Sequence, residues 1–371
     1  MPVYWSIMAV TLIMGILSYG TSKKEVLQEG KVVYKTRIGY AFFPMAYIIF
    51  FAGFRGRILD TYWYIDTFEV MPTTFSGIVE FAMNSPTRCG YFLVLGFFKK
   101  FISQNHYAWL FFIAIVSCVC VFYVLYKYSI DMPLSMYLFV ANAMFIWPFN
   151  GARQFLAVSI LFAFSDWLIE GKKIKYIILA FFVTFIHSSA LVVIPVCWFI
   201  SSRKILDIKM KLFGFITIIG TFFSRNIFIA LSDFGFFAKY SESLLNGEGS
   251  SIPRLIVACV PLFIILLSYR RVKEIAPPSI ILAINMSFVG SCFYLASTFT
   301  NGILIGRMPL YFTPYDLFLL PWLIKRGFTK ESGRIVWLAC VIFYLAFFYY
   351  QMQVAWDGLE YVSEFLHLNF L

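Results

Sequence analysis

The chain has 371 residues, of which 61% are hydrophobic, 21% aromatic and 13% charged, with 30 Lys+Arg against 19 Asp+Glu and a net charge of +11. A soluble globule carries nearer half apolar and a quarter charged residues, so that class is excluded; a mean hydropathy of +0.81 points to a polytopic membrane protein. The seven cysteines are scattered, mostly in apolar runs, with no spacing that fits a metal or a disulfide framework, and read as small packing residues.

In chain order, polar breaks divide the sequence into about twelve predicted spans: 3–20, 39–54, 107–126, 133–149, 152–170, 174–187, 188–201, 210–231, 253–269, 278–299, 307–324 and 334–352. The expectation is one all-α integral membrane domain over residues 1–371. The first run lacks a basic flank and a small-residue cleavage site, so it reads as a retained helix. Placing both termini outside puts 20 of the 30 Lys+Arg in cytoplasmic segments, around Lys23–Arg37, Lys127, Lys172–Lys175, Arg203–Lys211, Arg270–Lys273 and Lys325–Arg334. The positive-inside rule favours that orientation, and the net charge is then a topology signal rather than a nucleic-acid footprint.

Two stretches need special treatment. Residues 90–102 end in Lys99 and Lys100, and a span there would invert every later loop. They are expected as a short interfacial or re-entrant helix in a first external loop, 55–106. Residues 174–200 are flanked by cationic clusters, so they are expected as a hairpin of two short arms whose turn, FIHSSA, is recessed below the outer surface. Residues 353–371 form an external tail.

The external cations are mainly arginines: Arg55, Arg57, Arg88, Arg153, Arg225, Arg254 and Arg307, with Asp60, Asp66, Glu69 and Glu80 nearby in the first loop. A guanidinium fork suits bidentate phosphate binding, and ionisable groups at membrane depth tend to mark a substrate site. Arg225 and Arg254 read as snorkelling at span ends. Arg55 and Arg57 either pair with Asp60 and Asp66 or touch substrate. Arg153, in FNGARQF, has no carboxylate within a helical turn. His187 lies in the recessed turn beside Ser188 and Ser189, whereas His106 and His367 read as incidental. Asp316, in TPYDLFLLP, is the acid deepest in a span and is expected to be paired or protonated. Most Phe and Tyr residues read as lipid-facing bulk.

The ordered blocks FRGRILDTYWY (54–64), FNGARQFLAVSILF (149–162), KKIKYIILAFFVTFIHSSALVVIP (172–195) and GRMPLYF (306–312) resemble the EpsG-like branch of the Wzy-type bacterial polysaccharide repeat-unit polymerases. That branch shows an Arg-containing stretch leading to Asp and Tyr, an Asn-x-x-Arg-Gln motif opening a helix, and a His-Ser motif after a Lys pair. One departure is that a Gly usually precedes the Asp, where this chain has Ile58 and Leu59. The resemblance implies a GT-C-like polytopic architecture. It also implies a glycosyltransferase-type polymerase of the bacterial cytoplasmic membrane, making O-antigen, capsule or exopolysaccharide at the periplasmic or outer face. The growing glycan passes from undecaprenyl diphosphate to the non-reducing-end hydroxyl of a lipid-linked oligosaccharide repeat unit. The implied partners are the lipid-linked donor and acceptor, membrane lipid, and chain-length regulator and flippase proteins; no nucleic acid is implied.

On this reading Arg153 and Arg307 bind the diphosphate with Arg55 or Arg57 assisting, and Asn150, Gln154, Ser188 and Tyr62 support the site. His187 is the leading base or acceptor-positioning group and Asp60 its rival. No DxD-type acidic cluster is present to hold a metal on the diphosphate, so no metal or cofactor is expected. A flippase for lipid-linked oligosaccharide predicts two pseudo-symmetric halves, which the sequence lacks. An O-acyltransferase would need its histidine reachable from inside. An O-antigen ligase is a neighbouring reaction separated only by the resemblance.

Overall fold

A computed structural model describes residues 1–21, 24–28, 31–224, 226, 229, 248–302, 305–355 and 359–369. Its helices are α1 (Pro2–Tyr19), α2 (Ile38–Gly53), α3 (Thr61–Val70), α4 (Phe75–Met83), α5 (Cys89–Phe101), α6 (His106–Tyr128), α7 (Met132–Ala141), α8 (Ala152–Ala163), α9 (Ser165–Ile169), α10 (Lys173–Thr184), α11 (Val193–Phe199) and α12 (Ile208–Phe222). Beyond residue 248 come α13 (Ile252–Ile275), α14 (Pro278–Thr298), α15 (Asp316–Gly327) and α16 (Lys330–Tyr350). The fold is all-helical apart from two antiparallel hairpins, β1 (Lys24–Gln28) with β2 (Lys31–Lys35) and β3 (Val362–Ser363) with β4 (Leu368–Asn369). The first departs from the all-α expectation where Val26 pairs with Val33, β-branched residues that favour strand.

Among the described residues, five helices are long and apolar enough to cross a bilayer: α1, α6, α13, α14 and Lys330–Ala355, which is α16 extended by a π-turn. Of the remaining predicted spans, 210–231 lies partly outside the described residues and the others fall on shorter or broken segments. The 133–149 span stops at Ala141, where Ala143 takes φ 56° before a 3-10 turn, and the 152–170 span breaks between α8 and α9. At ~1.5 Å per residue such pieces are shorter than a ~30 Å hydrocarbon core. Arg225 lies outside the described residues.

The first loop holds three helices where one was expected. α3 is amphipathic, burying Thr61, Tyr64, Ile65 and Phe68 and exposing Tyr62, Asp66 and Glu69. α4 starts at an N-cap, with Thr74 Oγ1 accepting from Gly77 N–H at 3.2 Å. At the end of α5, Lys99 Nζ donates to the carbonyls of Phe68 (2.7 Å) and Glu69 (2.8 Å), and Lys100 Nζ to that of Thr73 (2.9 Å). Lys99 thus ties down the C-terminal carbonyls of α3, where a helix favours cations, and Lys100 holds the link from α3 to α4.

The described residues form two compact units. The first comprises Met1–Ser165, Ile174–Leu191 and Val336–Leu371. In it α6 packs on α2 and α8, and α1 on α2 and α7. One end of this unit gathers the start of α1, the end of α2, the turn before α8 and the C-terminal strands. Tyr4 meets Phe149 edge-on (5.6 Å), Tyr361 Oη donates to Phe51 O (3.0 Å), Gly56 N–H to Val362 O (2.7 Å), and Phe365 stacks on Phe54 (4.4 Å). The opposite end holds Tyr19, whose hydroxyl donates to Asp131 (2.8 Å).

The second unit, Asp166–Lys173 and Val192–Ile335, packs α13 on α14 and α15, and α12 on α14. Buried Asn285 organises its cationic loop, donating to Ser201 O (2.7 Å) and Lys204 O (2.9 Å) and accepting from Leu206 N–H (2.9 Å). Asp316 is buried at the first turn of α15, and its Oδ1 has no hydrogen-bond partner among the described residues.

Gly53 lets the Phe111 ring of α6 press against the α2 backbone, and a Cβ there would collide with that ring. Gly39, on the same helix, has nothing within 4 Å of a built Cβ. Gly53→Ala should therefore cost about 1–3 kcal/mol by overpacking, read as a lower unfolding midpoint in detergent. Gly39→Ala should leave that midpoint unchanged or slightly raised.

Candidate functional site

The FNGARQF stretch forms the turn into α8. Gly151 is its N-cap at φ 82°, a left-handed conformation suited to glycine, and a Cβ there would meet the Trp147 ring at 2.8 Å. Arg153 follows in the first turn, and its backbone N–H donates to Tyr64 Oη at 3.2 Å. Its guanidinium lies 4.9 Å from the Trp63 ring centre and 5.7 Å from that of Tyr91. Arg88 approaches the same indole at 5.4 Å. Arg153 Nε and Nη1 are buried without a hydrogen-bond partner among the described residues, as is Asn150 Oδ1 on the same turn.

Arg55 is 0% exposed. Its Nε donates to Thr61 Oγ1 (3.0 Å), whose hydroxyl donates in turn to Phe149 O (3.3 Å), and its Nη1 donates to Ala52 O. Its Nη2 is unpaired. Burial pushes the guanidinium down to about 10, and the charge persists at neutral pH. The hydroxyls of Tyr64 and Tyr91 are electrostatic neighbours of both arginines, and Tyr91 Oη accepts from Trp109 Nε1–H at 3.2 Å. Burial raises both phenols, so they stay neutral. These side chains sit at the edge of an apolar cluster from α3, α5, α6 and α8, including Ile65, Phe68, Leu95, Trp109 and Leu156.

Asp60 is exposed just before α3 and is the carboxylate whose charge reaches Arg153 and Tyr64. Leu59, before it, takes φ 41°, at the position where the family resemblance implies glycine. The His187 turn belongs to the same unit. Phe185 O accepts from Tyr91 N–H (3.2 Å), and Gly90 admits Phe185 against the start of α5. His187 is half-buried, and its Nδ1 faces Ser189 Oγ (2.7 Å) and Ser189 N–H (3.4 Å). A ring nitrogen that meets a backbone N–H is the acceptor, so the hydrogen-bond pattern assigns the proton to Nε2.

Of the residues read from sequence, Arg55, Asp60, Asn150 and Arg153 converge here, with buried Gln154 next along α8. Arg57 points away: it pairs with Asp66 at 3.3 Å and lies over exposed Tyr62 at 5.5 Å. Ser188 is exposed at the start of a 3-10 turn, and Arg307 is exposed in the second unit. Arg88, read from sequence as one of the external arginines, joins the cluster, together with three residues that sequence reasoning passed over: Trp63, Tyr64 and Tyr91. The usable signal was the buried stripe of α3, in which Thr61, Tyr64 and Phe68 recur at helical spacing while Tyr62 falls on the polar side.

A family model described as the EpsG family matches residues 39–363. No curated protein and no solved structure matches the chain.

Two stability contrasts follow. Thr61→Val removes the hydroxyl between Arg55 and Phe149 and should cost about 1–3 kcal/mol, whereas Arg57→Ala breaks an exposed pair worth at most about 1 kcal/mol. Thermal midpoints of the two purified variants should separate accordingly. Leu59→Gly relieves a left-handed backbone that costs a leucine roughly 1–2 kcal/mol, so its midpoint should rise.

Proposed function

Because the chain belongs to the EpsG family, whose members are Wzy-type polysaccharide polymerases, we propose that this integral membrane enzyme extends a glycan held on undecaprenyl diphosphate. The growing chain passes to the non-reducing-end hydroxyl of a lipid-linked repeat unit, at the outer face of a bacterial cytoplasmic membrane. The observation that carries this reading is the buried cluster around Arg153 and Arg55, which among the described residues is rich in unpaired donors and holds no buried carboxylate. Such a cluster suits an anion with many lone pairs, and a diphosphate is one. The positive-inside count supports the exterior as the side on which the cluster's end of the unit lies.

In the reaction the acceptor hydroxyl oxygen bonds to the donor's anomeric carbon, and the bond from that carbon to the diphosphate oxygen breaks. Arg153 and Arg55 meet the charge left on the diphosphate, with Arg88 at the rim. Asp60 takes the hydroxyl proton: it is a carboxylate beside Arg153, whereas His187 has its Nδ1 engaged by Ser189. His187 is then the acceptor-positioning group. The assignment of Arg307 and Arg57 to the diphosphate rests on the sequence alone.

The test incubates purified protein with a synthetic lipid-diphosphate repeat unit, with and without EDTA. A ladder of dimers and higher products is expected, falling about 10²–10³-fold in rate for Arg153→Ala, the usual loss for one charge-stabilising group. Arg153→Lys should rescue it poorly, since a point charge does not reproduce the fork. Full polymer length and amount from both Arg153→Ala and His187→Ala at normal expression would sink the site.

A further inference from the structure

We propose that Tyr64 and Tyr91 are catalytic hydrogen-bond donors to the leaving diphosphate. This inference rests on the diphosphate reading above and goes beyond it by giving two aromatic residues a chemical task.

The argument starts from what each hydroxyl already does. A phenol has one O–H to give and an oxygen that accepts. Tyr64 Oη accepts the backbone N–H of Arg153, and Tyr91 Oη accepts the indole N–H of Trp109, both at 3.2 Å. The accepting side of each oxygen is therefore engaged, and neither hydroxyl donates to a described residue. The two side chains are only 4% and 1% exposed, so bulk water is a poor substitute acceptor.

Among the described residues, no acceptor is hydrogen-bonded to either hydroxyl; the Asp60 carboxylate acts on Tyr64 through its charge without a hydrogen bond. Arg153 and Arg55 are donors only, with Nε, Nη1 and Nη2 atoms themselves unpaired. Asn150 Oδ1, an acceptor on the adjoining turn, reaches none of them. Buried donors without an acceptor are costly, and native structures leave few of them. A cluster that gathers several, from α3, α5, α8 and the loop after α2, fits a ligand that brings the acceptors. The inward N–H bonds also sharpen the donors: a hydroxyl that accepts a hydrogen bond polarises and donates more strongly. On Tyr64 this N–H belongs to the first turn of α8, so the positive end of that helix acts through the phenol.

During transfer the electron pair of the breaking anomeric C–O bond moves onto the diphosphate oxygen, and the acceptor's proton goes to Asp60. The phenol protons stay on their oxygens, and their hydrogen bonds strengthen as the diphosphate gains charge. Trp109 is a positioning residue, since its N–H fixes Tyr91.

The test combines steady-state kinetics on the lipid-diphosphate repeat unit with inorganic pyrophosphate as the binding probe. Tyr91→Phe and Tyr64→Phe should each lower kcat about 100-fold with KM changed less than about threefold, and Trp109→Phe should lower it less. Replacing Tyr91 by 3,5-difluorotyrosine, which keeps the shape but ionises at lower pH, should move the alkaline limb of the pH–rate profile to lower pH. A merely structural tyrosine would not move that limb. The inference is overturned if both Phe variants, folded by thermal midpoint, keep kcat within twofold, or if the fluorinated protein has the wild-type limb. Should the Phe variants not fold, the fluorinated protein decides alone. Wild-type protein that fails to bind pyrophosphate overturns the diphosphate reading and this inference together. Pyrophosphate binding with normal turnover in the Phe variants overturns the tyrosines alone.

Discussion

A guanidinium stays charged at any working pH, so a chain that buries one must build its surroundings around it. Arg55 is that constraint here. Its Nε reaches the start of α3 through Thr61 and from there the turn before α8 through Phe149 O, while Nη1 holds the last turn of α2 at Ala52. One side chain therefore fixes the last turn of α2, the start of α3 and the turn before α8 relative to one another, and the latter two segments carry Asp60, Tyr64 and Arg153. The C-terminal strands add a second hold on this loop: Val362 O takes the N–H of Gly56, and Ser363 Oγ donates to Phe54 O. Burial of an ion without a countercharge is disfavoured by several kcal/mol even after relaxation. The loop thus carries a standing cost that two sets of backbone contacts and a large aromatic cluster offset.

How much of this was legible in the sequence depends on contrast. Arg153 and His187 stand out because a polar group in an apolar run has few structural excuses, and both fall in the unit that carries the donor cluster. Arg55 could be seen but not weighed against Arg57: the two are separated by one glycine, yet one is wholly buried and the other pairs with Asp66 in solvent. Only the backbone path after α2 decides that. Trp63, Tyr64 and Tyr91 were hidden for the opposite reason. Against 45 Phe, 23 Tyr and 9 Trp, an aromatic residue carries no contrast, and its hydroxyl shows a role only through the partner it meets.

The helices follow the same logic. Long apolar runs such as α6 and α14 were plain, since twenty or so residues without a charge have one stable form in lipid. α3 and α4 were missed because each is short, with a buried stripe of only a few side chains. Lys99 and Lys100 looked like a topology signal and instead hold carbonyls, those of Phe68 and Glu69 at the end of α3 and that of Thr73 in the link to α4. The interruptions after α7 and α8 were missed because the marks near them, Pro148 and Asp166, fall after the breaks at Ala143 and Phe164 rather than on them. Ala143 at φ 56° and the break at Phe164 come from tertiary packing that overrides local preference.

The choice of aromatic rather than acidic neighbours for Arg153 has a consequence for binding. A carboxylate in contact would neutralise the guanidinium and compete with any anionic ligand for its fork. Trp63 and Tyr91 instead hold the planar group by its face, at about 0.5–2 kcal/mol per contact, and leave its charge and edge uncommitted. The second guanidinium at the same indole, Arg88, makes the unliganded site self-repulsive. An incoming dianion then gains twice, by pairing with the fork and by relieving that repulsion. Asp60, held outside the buried cluster at an exposed position, can accept a proton without collapsing onto the arginines. On the proposed function, the arrangement would keep the positive charge for the leaving group and the negative charge for the attacking hydroxyl, the separation that transfer from a diphosphate requires.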